Sequence, residues 1–530
     1  MFIFKVNEAC LWRNFVKTTV SKVILCFLSL VLIQGCTNNE ENIGVVKSSA
    51  EVDTGKSKQP NIIVILADDL GIGDLSSLNT ASKIQTPSLD RIANEGINFT
   101  DAHSNSAVCT PTRYGLLTGR YAYRTHLKKG VTWGYSPALI EEGRTTVASF
   151  LKQQGYHTGI VGKWHLGLNW QAKDPSKPIN EISNKDKFPK GLDTNVDFNQ
   201  AVQGGPNDLG FDYSYIISAS LDMSPYGYLE NQKMIELPSA YTYGKTQEKD
   251  GRGNFWRAGE VQPSFDFHKV MPTFTAKAVD YIKERKSDDK PFFLYFPLSA
   301  PHTPWLPSDE VTGKSQAGRY GDFVLDVDQS VNAILTALDD MDLAEDTLII
   351  FTSDNGSNWR ESDKESTGHY ANGIYRGQKA DIYEGGHRVP FIARWPGHIK
   401  SGSQSDQVLI TTDLLATVAG VLGESLPEGA GEDSYNMWPA FTNPELAESI
   451  HDYSIHHSLD GIFAIRQGKW KYTPHIGSGG FTSPQTVIPE ADQVTGTLFD
   501  LENDPEETTN LYKDNPEIVK SLHVLLEAAK

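Results

Sequence analysis

The chain has 530 residues, of which 39% are hydrophobic and 22% charged. That balance excludes a disordered tail, a fibrous repeat and a small disulfide-stapled scaffold. The length suits one large α/β domain with a smaller companion, because single cores stop growing near ~250–300 residues. With 48 Lys and Arg against 67 Asp and Glu, the formal charge is −19, which argues against nucleic acid or an anionic membrane as a general partner. An anionic substrate stays open, since a pocket can carry local positive charge on an acidic body.

Lys17 and Lys22 precede an apolar run of 11 residues, Val23 to Ile33, followed by Gln34, Gly35 and Cys36. A positive flank and a short apolar stretch predict a secretory signal over residues 1–36, too short to span a bilayer comfortably. Ile33-Gln34-Gly35-Cys36 resembles a bacterial lipobox, which would make Cys36 the lipidated first residue. Residues 37–59 are polar without apolar period and read as a flexible tether. Residues 1–36 hold four Lys/Arg and one Glu, so their removal leaves a charge of −22.

Asn61 to Ala67 is a continuous apolar run, as expected of a strand buried on both faces of a parallel sheet. Thr86 to Gly96 predicts a helix, with Thr86 as cap, Pro87 in the first turn and Gly96 as the stop. Thr146 to Gln154 with Gly155 repeats that grammar. His157–Val161 and Pro291–Phe296 read as strands. Val324, Val327, Val331, Ile334 and Leu338 mark a long amphipathic helix leading into the strand Thr347–Thr352. Strands alternating with helices predict an α/β domain on a largely parallel sheet. From about residue 450 the texture changes. Short strands at 462–466, 469–472 and 498–501, then a closing helix at 518–529, predict a smaller α+β domain.

Each strand of the first part runs directly into polar residues. These are Asp68-Asp69, Gly162-Lys163-Trp164-His165, Ser299-Ala300-Pro301-His302 and Ser353-Asp354-Asn355-Gly356. In open α/β sheets ligands bind outside the carboxyl ends of the strands, so one edge collects all four segments. Asp68, Asp69, Asp354 and Asn355 offer oxygen donors, for which a hard divalent cation is the natural occupant, Ca²⁺ or Mg²⁺. The bland alternative is that one Asp caps a helix and the others face water.

Three of the four cysteines, Cys10, Cys26 and Cys36, fall in the first 36 residues, leaving Cys109 alone. A solitary thiol is commonly a buried small hydrophobe. Here Pro111 suits an opening helical turn, which places Cys109 at a helix N-terminus with backbone amides facing any bound anion. Arg113, one turn on, would reach the same anion as a planar fork.

Cys109-Thr-Pro-Thr-Arg113, followed by Leu116-Leu-Thr-Gly-Arg120, resembles the Cys-x-Pro-x-Arg signature of type I, formylglycine-dependent sulfatases of the alkaline phosphatase superfamily. Pro60–Asp69, Gly162–Gly167, Ser353–Gly356, Arg376–Lys379 with Glu384–Pro390, and Leu498–Leu501 with Asp504 and Asn510-Leu511 resemble that family's blocks in its order. The resemblance implies a large mixed, mostly parallel sheet sandwiched by helices (residues 60–445) and a smaller C-terminal α+β part (446–530).

The implied chemistry starts with a maturase that oxidises Cys109 to formylglycine (3-oxoalanine), whose hydrate is a geminal diol. One hydroxyl attacks the sulfur of a sulfate ester; the other then loses its proton, the aldehyde reforms and sulfate leaves. Serine would be stranded as a stable sulfate ester. By the same resemblance, Asp68, Asp69, Asp354, Asn355 and the modified Cys109 would bind one Ca²⁺, with Mg²⁺ as the lesser choice. Lys163 and Lys379 would hold sulfate oxygens, Arg113 would stabilise the diol, His165 would assist its proton transfers and His302 would protonate the leaving group. Taken singly, the histidines read as hydrogen-bonded core or loop residues and the lysines as solvated charges.

The stretch from Trp170 to Trp256 carries Tyr213, Tyr215, Tyr226, Tyr228, Tyr241 and Tyr243, which could stack on sugars or pack a core. Trp133, Asp222, Trp305, Trp359 and Arg360 lie near the chemical blocks and are candidates for a sugar subsite. The expected function is sulfate ester hydrolysis on a carbohydrate, with sulfated oligosaccharide as substrate. A broad arylsulfatase is the alternative, and a phosphate or phosphonate monoester hydrolase or a non-catalytic glycan-binding lipoprotein are remoter ones. The expected partners are the sulfated saccharide, a formylglycine-generating maturase and the export and lipoprotein-processing machinery. No nucleic acid is expected, and membrane only through a lipid anchor. Such a chain would work in the periplasm or at the cell surface of a Gram-negative bacterium.

Overall fold

In the run Asn61–Ala67 (β1) every residue is buried, and the side chains divide by parity. Ile62, Val64 and Leu66 enter one hydrophobic cluster, Ile63, Ile65 and Ala67 another, as the two-residue period of a strand covered on both faces requires. The computed structural model describes residues 59–179, 194–246, 252–491 and 493–530; the expected signal peptide, Cys36 and the tether up to residue 58 lie outside them.

The main sheet adds Ile97–Phe99 (β2), His157–Lys163 (β3), Tyr213–Ile217 (β4), Leu229–Glu230 (β5), Lys233–Met234 (β6), Phe292–Pro297 (β7), Thr347–Ser353 (β8), Phe391–Arg394 (β9) and Ser403–Ser405 (β10). Its order is β10-β2-β9-β8-β1-β7-β3-β4-β5-β6. The central run β8-β1-β7-β3-β4 is parallel throughout, while β9 joins β8 antiparallel and β5 joins β4 antiparallel. The sheet is therefore mixed and mostly parallel at its centre.

Helices cover both faces. Pro87–Asn94 (α1), Val270–Arg285 (α4) and Gly318–Asp340 (α5) bring Leu89, Phe274 and Val324 to the Ile63 side. Cys109–Thr118 (α2) and Val147–Gln153 (α3) bring Tyr114, Leu117 and Val147 to the Ile62 side.

Two expected helix signals work differently from the sequence grammar. Thr146 caps α3 as expected, accepting from the Ser149 N–H at 3.0 Å. Thr86 makes no such cap on α1. Asp328 Oδ1, from α5, instead accepts the N–H groups of both Ser88 and Leu89 at 2.9 Å. A carboxylate brought in by tertiary packing thus satisfies the orphan donors of the first turn. Nor does Gly96 act as a left-handed stop. A Cβ there would lie 1.9 Å from the Ala393 carbonyl oxygen, so glycine is required by the close approach of the chain to β9.

The C-terminal strands Ser454–His457, Phe463–Gln467, Trp470–Thr473 and Thr497–Asp500 form a four-stranded sheet, antiparallel at every pairing, followed by the helix Pro516–Ala529. Ile455, Ile465, Tyr472 and Leu498 pack on Val519, Leu522 and Leu526, and Tyr121 and Tyr123 join the same cluster.

The aromatic stretch contributes mainly packing. Tyr215 stacks on Tyr228 at 5.2 Å, Tyr213 stacks on Tyr281 at 5.9 Å, and Tyr226 is buried against Phe267. Tyr241 is half-buried and Tyr243 exposed.

Candidate active site

The carboxyl ends of four adjacent strands, β8-β1-β7-β3, carry Asp354-Asn355, Asp68-Asp69, His302 and Lys163 with His165. The junctions are tight. Asp68 N–H donates to the Ala300 carbonyl at 3.0 Å and Asp354 N–H to that of Ala67 at 3.1 Å. Gly162 has φ 138°, and a Cβ on it would lie 1.9 Å from the Pro297 oxygen, so only glycine lets β3 end against β7. Asp69 (φ 67°) and His165 (φ 56°) are left-handed, a conformation that Asp and His tolerate better than most residues.

Cys109 is the first residue of α2, as the motif predicts, and is buried. Its Sγ lies 3.6 Å from Asp68 Oδ1 and 3.6 Å from Lys379 Nζ. Lys163 Nζ donates to Asp68 Oδ2 at 2.5 Å, and Lys379 Nζ approaches Asp69 Oδ1 to 2.6 Å. Arg113, fully buried, donates from Nε and Nη2 to Asp354 Oδ2 at 2.9 and 2.7 Å and from Nη1 to the Lys163 carbonyl at 3.0 Å. Its fork is thus directed chiefly at Asp354, with Asp68 Oδ1 3.6 Å away.

Each acid of the cluster has a basic partner, so their charges alone do not call for a cation. The donor set does. Asn355 gives its Nδ2 to Asp69 Oδ1 at 2.7 Å and to the Gly356 carbonyl at 2.9 Å, while its Oδ1 is buried without a partner among the described residues. Ligand atoms of Asp68, Asp69, Cys109 and His302 lie within 4.8 Å of one another. An orphaned carbonyl oxygen among carboxylates fits a hard cation.

The charges set the protonation states. Burial alone would push the Asp68 carboxyl up, but Lys163, His302, Arg113 and Lys379 outweigh it and hold it far below the usual range. Burial, then the Asp68 charge, lifts Asp354 to about 7, with Arg113 opposing the rise. Burial raises the Cys109 thiol strongly, so the unmodified side chain is a protonated thiol and no nucleophile. Burial, Lys163 and Arg113 hold His165 neutral. Its Nε2 lies 2.9 Å from the Thr132 carbonyl, so that nitrogen carries the proton and the partnerless Nδ1 keeps its lone pair. Burial and Lys379 lower His302, whose Nδ1 is 3.0 Å from Ser220 Oγ and whose Nε2 is 3.8 Å from Asp69.

The subsite candidates separate. Asp222 is buried and paired with Arg257, whose guanidinium rests over the half-buried Trp133. Trp305 is half-buried under Arg252 at 4.7 Å. Arg360 is exposed at the start of the helix Glu361–Thr367, its N–H on Asp363. Trp359 lies in the interior, 4.7 Å from Tyr320, with its indole N–H on the His369 carbonyl at 2.8 Å. Packing, with no ring face left for a sugar, is its role.

Sequence reading missed Ser220, whose Oγ accepts from Lys163 Nζ at 3.3 Å and meets His302. The signal was present. The strand Tyr213–Ile217 also runs into polar residues, Ser218-Ala219-Ser220-Leu221-Asp222, and lies beside β3.

Comparison with known proteins agrees with this geometry. The Sulfatase family model matches residues 60–424 and the N-sulphoglucosamine sulphohydrolase C-terminal model residues 375–530. The chain is 33% identical to an N-acetylgalactosamine-6-O-sulfatase of Bacteroides thetaiotaomicron, over 96% of this chain and 99% of that protein. It is 30% identical to human steryl-sulfatase, over 90% and 89%. A solved structure from work on glycosaminoglycan metabolism by Bacteroides thetaiotaomicron superposes with a TM-score of 0.75 at 33% identity, covering 89% of this chain and 99% of that one. Another, solved in complex with a neocarrahexaose, gives 0.62 at 27%, covering 89% and 92%. The chain therefore belongs to the sulfatase family, sulfuric ester hydrolases of the alkaline phosphatase superfamily.

Proposed function

We propose that this sulfatase removes sulfate from a carbohydrate, with short sulfated oligosaccharides as substrates, using a formylglycine at Cys109 and one Ca²⁺. The carrying observation is the pair of buried lysines at Cys109. Lys379 Nζ touches Sγ at 3.6 Å, and Lys163 meets it through Asp68. Two fixed cations beside one side chain suit a tetrahedral sulfate monoanion. The name of the bacterial relative and the saccharide bound in the second structure support the sugar.

Asp68, Asp69, Asp354, Asn355 Oδ1 and the modified residue 109 would hold the cation, which together with the formylglycine hydrate supplies a polarised hydroxyl nucleophile. Arg113 favours the ionised form of Asp354 and aims it. Lys163 and Lys379 turn from their carboxylates to the sulfate oxygens and balance charge as the ester bond breaks. His165, neutral with a free lone pair, takes a proton. A bound sulfate near His302 raises that imidazole from its depressed state and lets it donate to the departing oxygen.

The same reading takes residues 1–36 as a signal peptide, Cys36 as a lipid anchor, 37–59 as a tether, 60–445 as the catalytic part and 446–530 as the C-terminal part. It places the mature protein in the periplasm or on the cell surface, matured by a formylglycine-generating enzyme. Two measurements test it. Peptide mass spectrometry should find the Cys109 segment lighter by about 18 Da, and an unmodified thiol in active protein would sink the mechanism. Sulfated oligosaccharides should be hydrolysed faster than a nitrophenyl sulfate; the reverse across a broad panel would leave a general arylsulfatase.

A further inference from the structure

Arg257 stands at the edge of the candidate site with half of its donor fork unused. Nη1 is engaged by Asp222, through Oδ2 and through the backbone carbonyl at 3.2 Å. The guanidinium rests over the rings of Trp133 and Phe255, 5.0 Å from each centroid. Nε and Nη2 donate to none of the described residues, and the side chain keeps 24% of its surface exposed. Asp222 is buried, and its Oδ1 has no partner among the described residues. The pair therefore presents a donor edge and a buried acceptor, neither satisfied by those residues.

Both sides of this clamp are tied to the reacting centre. Trp133 follows Thr132, whose carbonyl holds His165 at 2.9 Å and whose Oγ1 is 3.2 Å from that of Thr110, the neighbour of Cys109. Asp222 lies two residues beyond Ser220, which contacts Lys163 and His302. Two residues span at most about 7 Å, so Asp222 and the Arg257 it holds stand beside the residues proposed to meet the sulfate. A guanidinium held by two rings and a carboxylate has lost most of its rotamer freedom, so binding orders little more.

We propose that Arg257, clamped by Asp222 over Trp133 and Phe255, is a second anion-binding position that recognises a further carboxylate or sulfate on the substrate, in addition to the sulfate being removed. This rests on the carbohydrate reading above. A sugar carrying one sulfate would leave the Nε–Nη2 edge to water, while a uronate-bearing disaccharide or a disulfated sugar would meet it with a planar or tripodal acceptor.

The test compares wild type, Arg257→Ala and Arg257→Lys on three substrates: a monosulfated amino sugar, its disaccharide with a uronic acid, and a disulfated monosaccharide. The readout is kcat/KM for each dianionic substrate divided by that for the monosulfated one. A charge-assisted hydrogen bond is worth about 1.5–3 kcal/mol, so Arg257→Ala should lower the ratio roughly 10–150-fold through KM. Arg257→Lys should fall between, keeping charge without the fork. A loss confined to the uronate or to the disulfated sugar names the anion. A melting-temperature drop with the ratio unmoved would overturn the proposal, leaving a structural pair. If wild type hydrolyses none of the sugars but does cleave an aryl sulfate, the carbohydrate reading and this proposal fall together; sugars cleaved with an unmoved ratio overturn this proposal alone.

Discussion

Asn355 turns its amide nitrogen to Asp69 Oδ1 at 2.7 Å, which leaves the oxygen of the same amide buried and unbonded among carboxylates. The orientation is fixed by a second acceptor, the Gly356 carbonyl at 2.9 Å. An oxygen so placed costs roughly 1–3 kcal/mol unless something cationic or a donor meets it.

Asn355→Ala and Asp354→Ala should each weaken cation binding by ~10–100-fold or more and lower activity in proportion. Elemental analysis after dialysis at low free cation reads the occupancy. Undiminished occupancy in both variants would exclude these residues as ligands.

Lys163→Ala and Lys379→Ala should each lower kcat by about 10²–10³-fold, the loss of one preorganised charge at the reacting group. Each also strands a buried carboxylate, Asp68 or Asp69. Losing one partner of a buried pair destabilises by about 3–5 kcal/mol, and a bound cation would offset it. Melting with and without chelator should show the larger loss in chelator; equal losses would mean that no cation sits by these carboxylates.

His103, His387 and His456 form a buried cluster, in which His387 and His103 are hydrogen-bonded and His456 stacks beside them. Lys471 Nζ donates to His387 Nε2 at 3.1 Å, so His387 carries its proton on Nδ1 and gives it to His103 Nδ1 at 3.0 Å; His103 Nε2–H meets Asp101 at 2.8 Å. His456 stacks on His387 at 4.1 Å. Burial lowers all three, with Lys471 and the neighbouring imidazoles lowering His387 and His456 further and Glu384 opposing. Unfolded imidazoles take protons near pH 6.5 that the folded cluster refuses, so stability is full above that value and falls as pH drops below it, by up to about 1.4 kcal/mol per pH unit per histidine. Asp326 and Asp328, lifted to about 6 by burial, oppose this below pH 6. Melting curves between pH 7 and 5 should therefore be shallower in pH for His456→Asn than for wild type. Identical slopes would show that His456 is not held neutral.

Trp359→Ala should cost about 3–5 kcal/mol of stability, as for other large core residues, and move the melting temperature without shifting KM for a sulfated sugar. A KM effect with unchanged stability would return Trp359 to the subsite.

Much of the site was legible because its signals are local. A strand buried on both faces writes itself as an apolar run, and its end is marked where polar residues begin, so Asp68, Lys163, His302 and Asp354 could be put on one edge before any contact was known. The start of α2 at Cys109 was equally local, set by Pro111 and the turn it opens. Trp359 was misplaced because sequence proximity to Asp354 carries no information about which way a loop side chain faces.

The sequence by itself determined the parallel sheet, its chemical edge and the helix start at Cys109, since each follows from periodicity or spacing within about ten residues. Only the tertiary structure decided the partners. Asp328 caps a helix 240 residues away, and Lys379 reaches Asp69 across 310. Arg257 settles over Trp133 from a different loop. Such pairings depend on where the chain returns in space, and a charge acquires its role only from the group it meets there.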